Sequence, residues 1–238
     1  MDSFNRDYSR LYQLQDKFLS WWLSLGLPFY LTGGTALGRF YLNHRYSDDL
    51  DFFTNANAQY TSSITELNFK IKGQFEIDIE KSLFADDFTR FFITEGDLFL
   101  KIELVNDIEY YAEKPAAYKY GFIDTPLNIL SNKLTALLGR DEPKDIFDII
   151  HISTHYSFNW MDVFYHAKQK ATINELDVEQ RFASFPVEWL ENVNWLTTPI
   201  NLEKYRSILN TIANDFLLGK NNSLGENKHS IENVKPML

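Results

Sequence analysis

The stretch YSDDLDFF, residues 46 to 53, sets Asp48, Asp49 and Asp51 between aromatic flanks. Leu50, Phe52 and Phe53 make it strand-like, and strand alternation sends Asp49 and Asp51 to one face and Leu50 to the other. Two carboxylates so placed repel, and an unpaired charge taken out of water is costly. A cation between them lifts that penalty, and hard oxygen ligands select Mg2+ or Mn2+. Upstream, LTGGTAL puts Gly33 and Gly34 where a strand turns into a helix. Backbone N–H groups there can approach a phosphate closely, and the helix dipole favours negative charge. A phosphate cradle beside a metal-binding carboxylate pair is the apparatus of phosphoryl or nucleotidyl transfer. Either signal alone is common: a lone Asp-x-Asp is mostly a solvated turn, and a lone Gly-Gly mostly a bend. Together, in a strand–helix–strand context, they are specific.

The elements that must position these residues can be read from periodicity. Residues 7–25 carry Leu11, Leu14, Phe18, Trp21, Trp22 and Leu25 at the spacing of one helical face, with Gly26 as a cap. PFYLTGG reads as a strand, TALGRFYLNH as a helix reaching about Asn43, and DDLDFFT as the next strand. Between 69 and 105 the period becomes two, giving strands in FEIDIE, FTRFFIT and DLFLKIELV, the last two joined by a turn at Gly96-Asp97. After 125 the pattern is helical. Thr125 and Pro126 open one helix and Pro143 another, and further helices are expected over 160–171, 174–183 and 201–218. The polar, aperiodic stretch that follows reads as a flexible end. The expected fold class is α/β (α+β), a mixed sheet with flanking helices followed by a helical region. The expected organisation is an α/β domain over 1–124, a helical domain over 125–218 that completes the site, and a tail over 219–238.

Composition narrows the classes. At 238 residues with 45% hydrophobic and 16% aromatic residues, the chain can bury a core and is not a disordered one. Cysteine is absent, which removes disulfide frameworks, thiol catalysis and thiolate metal sites and suits a reducing cytoplasm. The N-terminus lacks a basic start followed by an apolar run, and the apolar stretch Phe18 to Leu31 is too broken and too short to span a bilayer, so no membrane role is expected. A formal charge of −10 argues against extensive duplex binding but leaves room for a local basic patch that holds a nucleotide or an RNA end.

The string GGTALGRFYLNHRYSDDLDFF resembles the first motif of the nucleotidyltransferase fold, and more narrowly that of the AbiEii/AbiGii-type abortive-infection toxin family. The matching positions are Gly33 to Leu37, His44, Arg45, Ser47, Asp49, Leu50, Asp51 and Phe52. The interval from Gly34 to Asp49 is slightly longer than the general superfamily pattern, an insertion that a loop absorbs. Further on, ILSNKLTALLGRDEPKDIFDI matches the family's later motifs at Lys133, Ala136, Leu137, Arg140, Lys144, Asp145 and Asp148. The resemblance covers roughly residues 25 to 155. It implies a nucleotidyltransferase using Mg2+ or Mn2+ to move NMP from an NTP to an acceptor. It also implies a toxin of a toxin–antitoxin or abortive-infection system, with a cognate antitoxin and with tRNA or another RNA as target.

The fold also supplies a third carboxylate from a later strand. In DLFLKIELV, Lys101 and Glu103 break an otherwise apolar face, which singles out Glu103; Asp78 and Glu80 compete, and an edge strand with its polar side to water is the plain alternative. The expected catalytic and metal-binding residues are therefore Asp49, Asp51 and Glu103. Gly33, Gly34, Thr35, Ser47, Lys133 and Arg140 are expected to hold the nucleotide. Lys133 and Arg140 lie two helical turns apart on one face, where two cations suit triphosphate oxygens. Arg45, Asp145 and Asp148 are supporting candidates, the two aspartates as partners for Arg140 or Lys144. His151 and His155 have metal-ligand spacing without a supporting glutamate and read as ordinary helix residues, and the tryptophans read as core. Two rivals stay open. One is a small-molecule nucleotidyltransferase of the aminoglycoside-modifying kind, whose cationic acceptor suits the negative charge. The other is an idle fold that serves as a binding module, which intact carboxylates argue against.

Overall fold

In the computed structural model, which describes residues 7–237, the chain opens with α1 (Tyr8–Leu23). Its apolar stripe buries Leu11, Leu14, Phe18 and Trp22 as the spacing predicts, and the Asp7 side chain caps it by accepting from the Arg10 amide. Gly26 turns the chain with a φ of +63°, a conformation open to glycine. β1 (Tyr30–Thr32) runs straight into α2 (Gly33–Leu37), which widens into a π turn over Gly38–Leu42 and stops at left-handed Asn43. β2 (Leu50–Asn55) carries the aspartate motif. α3 (Tyr60–Ile71) is an addition to the sequence expectation; its buried stripe is Tyr60, Ile64, Leu67 and Ile71.

The expected strand in FEIDIE contracts to β3 (Glu76–Ile77), because the chain turns at Asp78, whose side chain accepts from the Lys81 amide. A second short edge strand is β4 (Leu83–Phe84). β5 (Phe88–Glu95) and β6 (Leu98–Asp107) form the expected hairpin, with Gly96 at φ +65° in its turn. β7 (Ala116–Tyr118) and β8 (Gly121–Ile123) make a second hairpin. Then come α4 (Pro126–Gly139), α5 (Pro143–His155), the two-residue β9 (Tyr156–Ser157), α6 (Trp160–Lys170), α7 (Glu175–Ser184) and α8 (Leu202–Leu217). The last strand is β10 (His229–Ser230).

The main sheet is mixed, in the order β3-β5-β6-β2-β1-β8-β7, with β4 on the outer side of β5. β2 is parallel to β6 and antiparallel to β1, and β1 is parallel to β8. One face of the sheet packs on α1. Phe52 lies against Trp22 with ring centroids 4.3 Å apart and against Phe18 at 6.1 Å. Because β2 alternates, burying Leu50, Phe52 and Thr54 on that side turns Asp51 to the other. The hydrophobic face thereby fixes which way the aspartate points.

Residues 219–237, read from the sequence as a flexible end, are docked. β10 pairs with β9, Ile231 is buried, and Asn222 donates to the carbonyls of Ser153 and Tyr156. Of the tryptophans, Trp22, Trp160 and Trp195 are buried while Trp189 is exposed. Among the described residues no helix is long and apolar enough to cross a membrane.

Phe52→Ala is expected to lower the unfolding free energy by about 3–5 kcal/mol, the usual loss for a large aromatic cut from a packed core. Urea titration reads it, and a loss under about 1 kcal/mol would show that the sheet does not lean on α1 through this ring.

Candidate active site

β2 lies between β1 and β6, and its register sets Asp51 beside Thr32 on one side and Glu103 on the other. Asp51, Asp49, Glu103 and Lys101 line one cleft of about 680 Å³, within the range of small-ligand sites. The Lys101 ammonium sits among the acids, 2.9 Å from Asp49 Oδ2 and 3.4 Å from Glu103 Oε2. Arg90 Nε donates to the other Glu103 oxygen at 2.6 Å. Among the described residues Asp51 has no such partner. Burial, then the charges of Asp49 and Glu103, push its carboxyl up to about 7, and Lys101 and Lys133 offset this only in part. Asp78, the rival third carboxylate, pairs with Lys81 away from the cleft, and Glu80 is exposed there.

The glycine pair is needed for a reason the sequence does not reveal. A Cβ on Gly33, whose φ is +70°, would stand 2.5 Å from Asp51 Oδ2. One on Gly34 would strike the Arg45 guanidinium and meet Ser47 Oγ at 3.0 Å. Glycine lets a carboxylate and a guanidinium press against the start of α2, while both residues still line the cleft. Ser47 lines it too, its amide donating to the Tyr12 hydroxyl at 3.1 Å. Thr35, expected at the nucleotide, is fully buried, and its hydroxyl donates to the Asp49 carbonyl. The structure places it as a brace for the aspartate loop, off the cleft wall. Gln15 of α1 braces the same loop, donating to the Ser47 and Asp48 carbonyls at 3.1 and 3.2 Å.

On the opposite wall the expected cations are spent on partners. Lys133 is buried, with Nζ 2.6 Å from Asp145 and 2.7 Å from Asp148. Burial works against its charge, and the two aspartates outweigh that, so its pKa stands above the ordinary lysine value. Arg140 lies just past the end of α4 and donates to Asp145 from Nε at 2.7 Å and Nη2 at 3.0 Å. Asp148 is fully buried, off the cleft, and takes Arg45 Nε at 2.6 Å, Arg45 Nη2 at 2.8 Å and His44 Nε2 at 2.8 Å. Burial opposes its ionisation, yet Arg45, Lys133 and His44 hold it well below the usual carboxylate range. Asp145 is likewise lowered: Lys133 and Arg140 overcome its burial. Lys144 pairs with Asp48 at 2.8 Å rather than with either of these aspartates.

Three further groups escaped sequence reading. Lys101 was visible only as Glu103's neighbour; its contact with Asp49 depends on strand pairing. Asp124 is buried between β8 and α4, accepting from Thr32 Oγ1 and Asn128 Nδ2 at 2.6 Å each. Burial raises it to about 6 against the opposing pull of Lys170 and these bonds. Lys170, at the end of α6, also lines the cleft. No motif marked either of the last two. His151 shares a hydrogen bond with the Tyr205 hydroxyl at 2.9 Å and lies tilted against the His44 ring at 4.7 Å, and burial and that neighbour lower its pKa to about 3, so it stays a neutral ring.

The oxygens of Asp49, Asp51 and Glu103 are donors of the type that Mg2+ and Mn2+ take, and the raised Asp51 marks negative charge lacking a counterion. The donor set fits a divalent cation. Among the described residues, however, no three carboxylate or histidine side chains already converge on one point, since Lys101 reaches between Asp49 and Glu103.

Residues 21–172 match the family described as "Nucleotidyl transferase AbiEii toxin, Type IV TA system". No curated protein matches the chain. Among solved structures, it is similar to JHP933 from Helicobacter pylori, at 21% identity and a TM-score of 0.57, covering 90% of this chain and 93% of that one. It is also similar to MenT4, a nucleotidyltransferase toxin from Mycobacterium tuberculosis, at 17% identity and a TM-score of 0.62, covering 89% and 84%. At these identities the likeness is one of fold.

The folded Asp51 pKa of about 7 lies above its unfolded value, so this carboxyl favours the fold in acid and loses that contribution as pH rises toward and through 7. Asp51→Asn is expected to melt higher than the parent chain at pH 8 and to show a shallower fall in Tm between pH 5 and 8. Parallel Tm–pH curves for the two proteins would overturn the assignment of an uncompensated charge to Asp51.

Proposed function

The chain belongs to the AbiEii nucleotidyltransferase toxin family of type IV toxin–antitoxin systems, and from that premise we propose that it transfers NMP from an NTP to an RNA acceptor hydroxyl, with a divalent cation as cofactor. The observation that supports this most is the strand register, which brings Asp51 beside Glu103 and, with Asp49, gathers three carboxylates at a cleft that also holds Gly33 and Gly34. Asp49 and Asp51 would hold Mg2+ or Mn2+, with Glu103 completing the set. When bound, the cation supplies charge neutralisation for the phosphates. Lys101 keeps Asp49 and Glu103 from repelling until then.

In the transfer, the acceptor oxygen forms a bond to the α-phosphorus and the bond to pyrophosphate breaks. Glu103 takes the hydroxyl proton as general base. Gly33, Gly34 and Ser47 lie where the triphosphate would approach. Lys133 and Arg140 act there chiefly through Asp145, which both of them hold, rather than as free phosphate ligands. We place the protein in the cytoplasm, acting on tRNA or another RNA and countered by a cognate antitoxin.

The test is label transfer. The full chain with Mg2+, each α-labelled NTP and a tRNA pool is expected to yield labelled RNA with one preferred NTP. Asp49→Ala/Asp51→Ala is expected to lose at least about a hundredfold in rate, the order seen when an electrostatic stabiliser of the transition state is removed. Undiminished transfer in the double variant would sink the assignment. Label found on a cationic amino sugar and on no RNA would move the acceptor to small molecules.

A further inference from the structure

Lys170 differs from every other cation that lines the cleft. Among the described residues, Arg45 is paired with Asp148, Lys101 with Asp49, Lys133 with Asp145 and Asp148, Arg140 with Asp145, and Lys144 with Asp48. Lys170 lines the same cleft with no carboxylate of the described residues at ion-pair distance; its Nζ donates to two neutral amides, Asn128 Oδ1 at 2.9 Å and Asn132 Oδ1 at 2.6 Å. An ammonium carries three donors, so these two bonds leave one N–H unused among the described residues.

The two asparagines are oriented by this contact. A lysine ammonium can only donate, which fixes the oxygen ends of both amides toward Nζ. Asn128 is otherwise committed, accepting from the Ala112 amide at 2.9 Å and donating to Asp124 at 2.6 Å. Asn132 lines the cleft, and its NH2 is the end turned from Lys170. The corner thus offers two donors. Through Asn128 and Asp124 it is bonded to Thr32, the residue before Gly33. Burial pushes the Lys170 ammonium below the ordinary lysine value, and the fields of Asp124 and Asp107 temper this without pairing with it. A cation at the last residue of α6 favours the helix dipole, but that requires neither a place on the cleft wall nor two oriented amides.

We propose that Lys170, with the Asn132 amide as second donor, is a phosphate-binding subsite of the cleft. The inference rests on the phosphoryl chemistry of the proposed function. The phosphate has two sources, the triphosphate of the incoming nucleotide or the phosphodiester of the acceptor strand, and both present oxygens that only accept.

The experiment uses the full chain and two probes, inorganic tripolyphosphate and a short single-stranded RNA, with affinities read by calorimetry. Lys170→Met is expected to weaken one probe by about ten- to a hundredfold, the loss of one charge-assisted hydrogen bond, while Lys170→Arg keeps most of it. Loss confined to tripolyphosphate assigns the nucleotide as source, and loss confined to RNA assigns the acceptor. Asn132→Asp provides a second variant: it keeps the bond to α6 but hands Lys170 a carboxylate, and the same loss is expected with Tm near that of the parent chain. A plain strut would lower Tm in Lys170→Met and leave both affinities unchanged, which overturns the proposal, as does a parent chain that binds neither probe. NMP transfer by the same parent preparation separates the readings. Transfer without Lys170-dependent binding removes only the subsite, and Lys170-dependent binding without transfer removes only the nucleotidyltransferase reading.

Discussion

The site hangs on one buried carboxylate. Asp148 has no exposure and gathers Arg45, His44 and Lys133, which come from the loop after α2 and from α4. Desolvating such a group is costly, and only a full set of charged partners with good geometry offsets it. The bidentate grip of Arg45 on Asp148 supplies that geometry and fixes the loop whose next residues are Ser47, Asp48 and Asp49. The same guanidinium lies against Gly34 so closely that any side chain there would collide with it. One carboxylate on α5 therefore sets the spacing between the glycine pair and the aspartate pair.

The acids at and behind the cleft fall into two kinds. Asp145 and Asp148 are saturated with cations, and their pKa values fall. Half-buried Asp51 and buried Asp124 have too little countercharge, and theirs rise to about 7 and about 6. The first kind is structure: its charge is satisfied within the chain. The second stores unfavourable electrostatics that a ligand cation or a proton relieves, and sites with that property are where function concentrates. Lys101 occupies an intermediate position as an internal cation that tempers Asp49 and Glu103 without neutralising Asp51. The division also explains why the cation pair that looked most apt for phosphates is not available as such. Lys133 spends its charge holding α4 to α5.

Periodicity and local chemistry were enough to read much of this from the chain. The stripe of α1, the β5–β6 hairpin, the proline-led starts of α4 and α5 and the split faces of β2 are all local patterns, each decided by a few residues. The first motif string also marked Asp49 and Asp51, and the charged break in the face of DLFLKIELV marked Glu103, as the residues to examine. Short strands such as β4, β7 and β9 were not legible, because two or three residues carry no period and are strands only by virtue of a neighbour. The docked stretch after α8 was misread for a related reason: its polar residues are held by specific bonds, such as Asn222 to the Ser153 carbonyl, that leave no pattern in sequence.

What the sequence determined alone was the chemistry on offer: acidic oxygens on one strand face, glycines ahead of them, and cations on a later helix. Tertiary structure decided how those groups are used, because charges act through space and not along the chain. It paired Lys133 with Asp145 and Asp148, moved Thr35 from the cleft to a brace under Asp49, and set Lys101 between two acids. It also brought Lys170 from the end of α6 to the cleft wall, where Asn128 and Asn132 hold it with no carboxylate of the described residues at ion-pair distance.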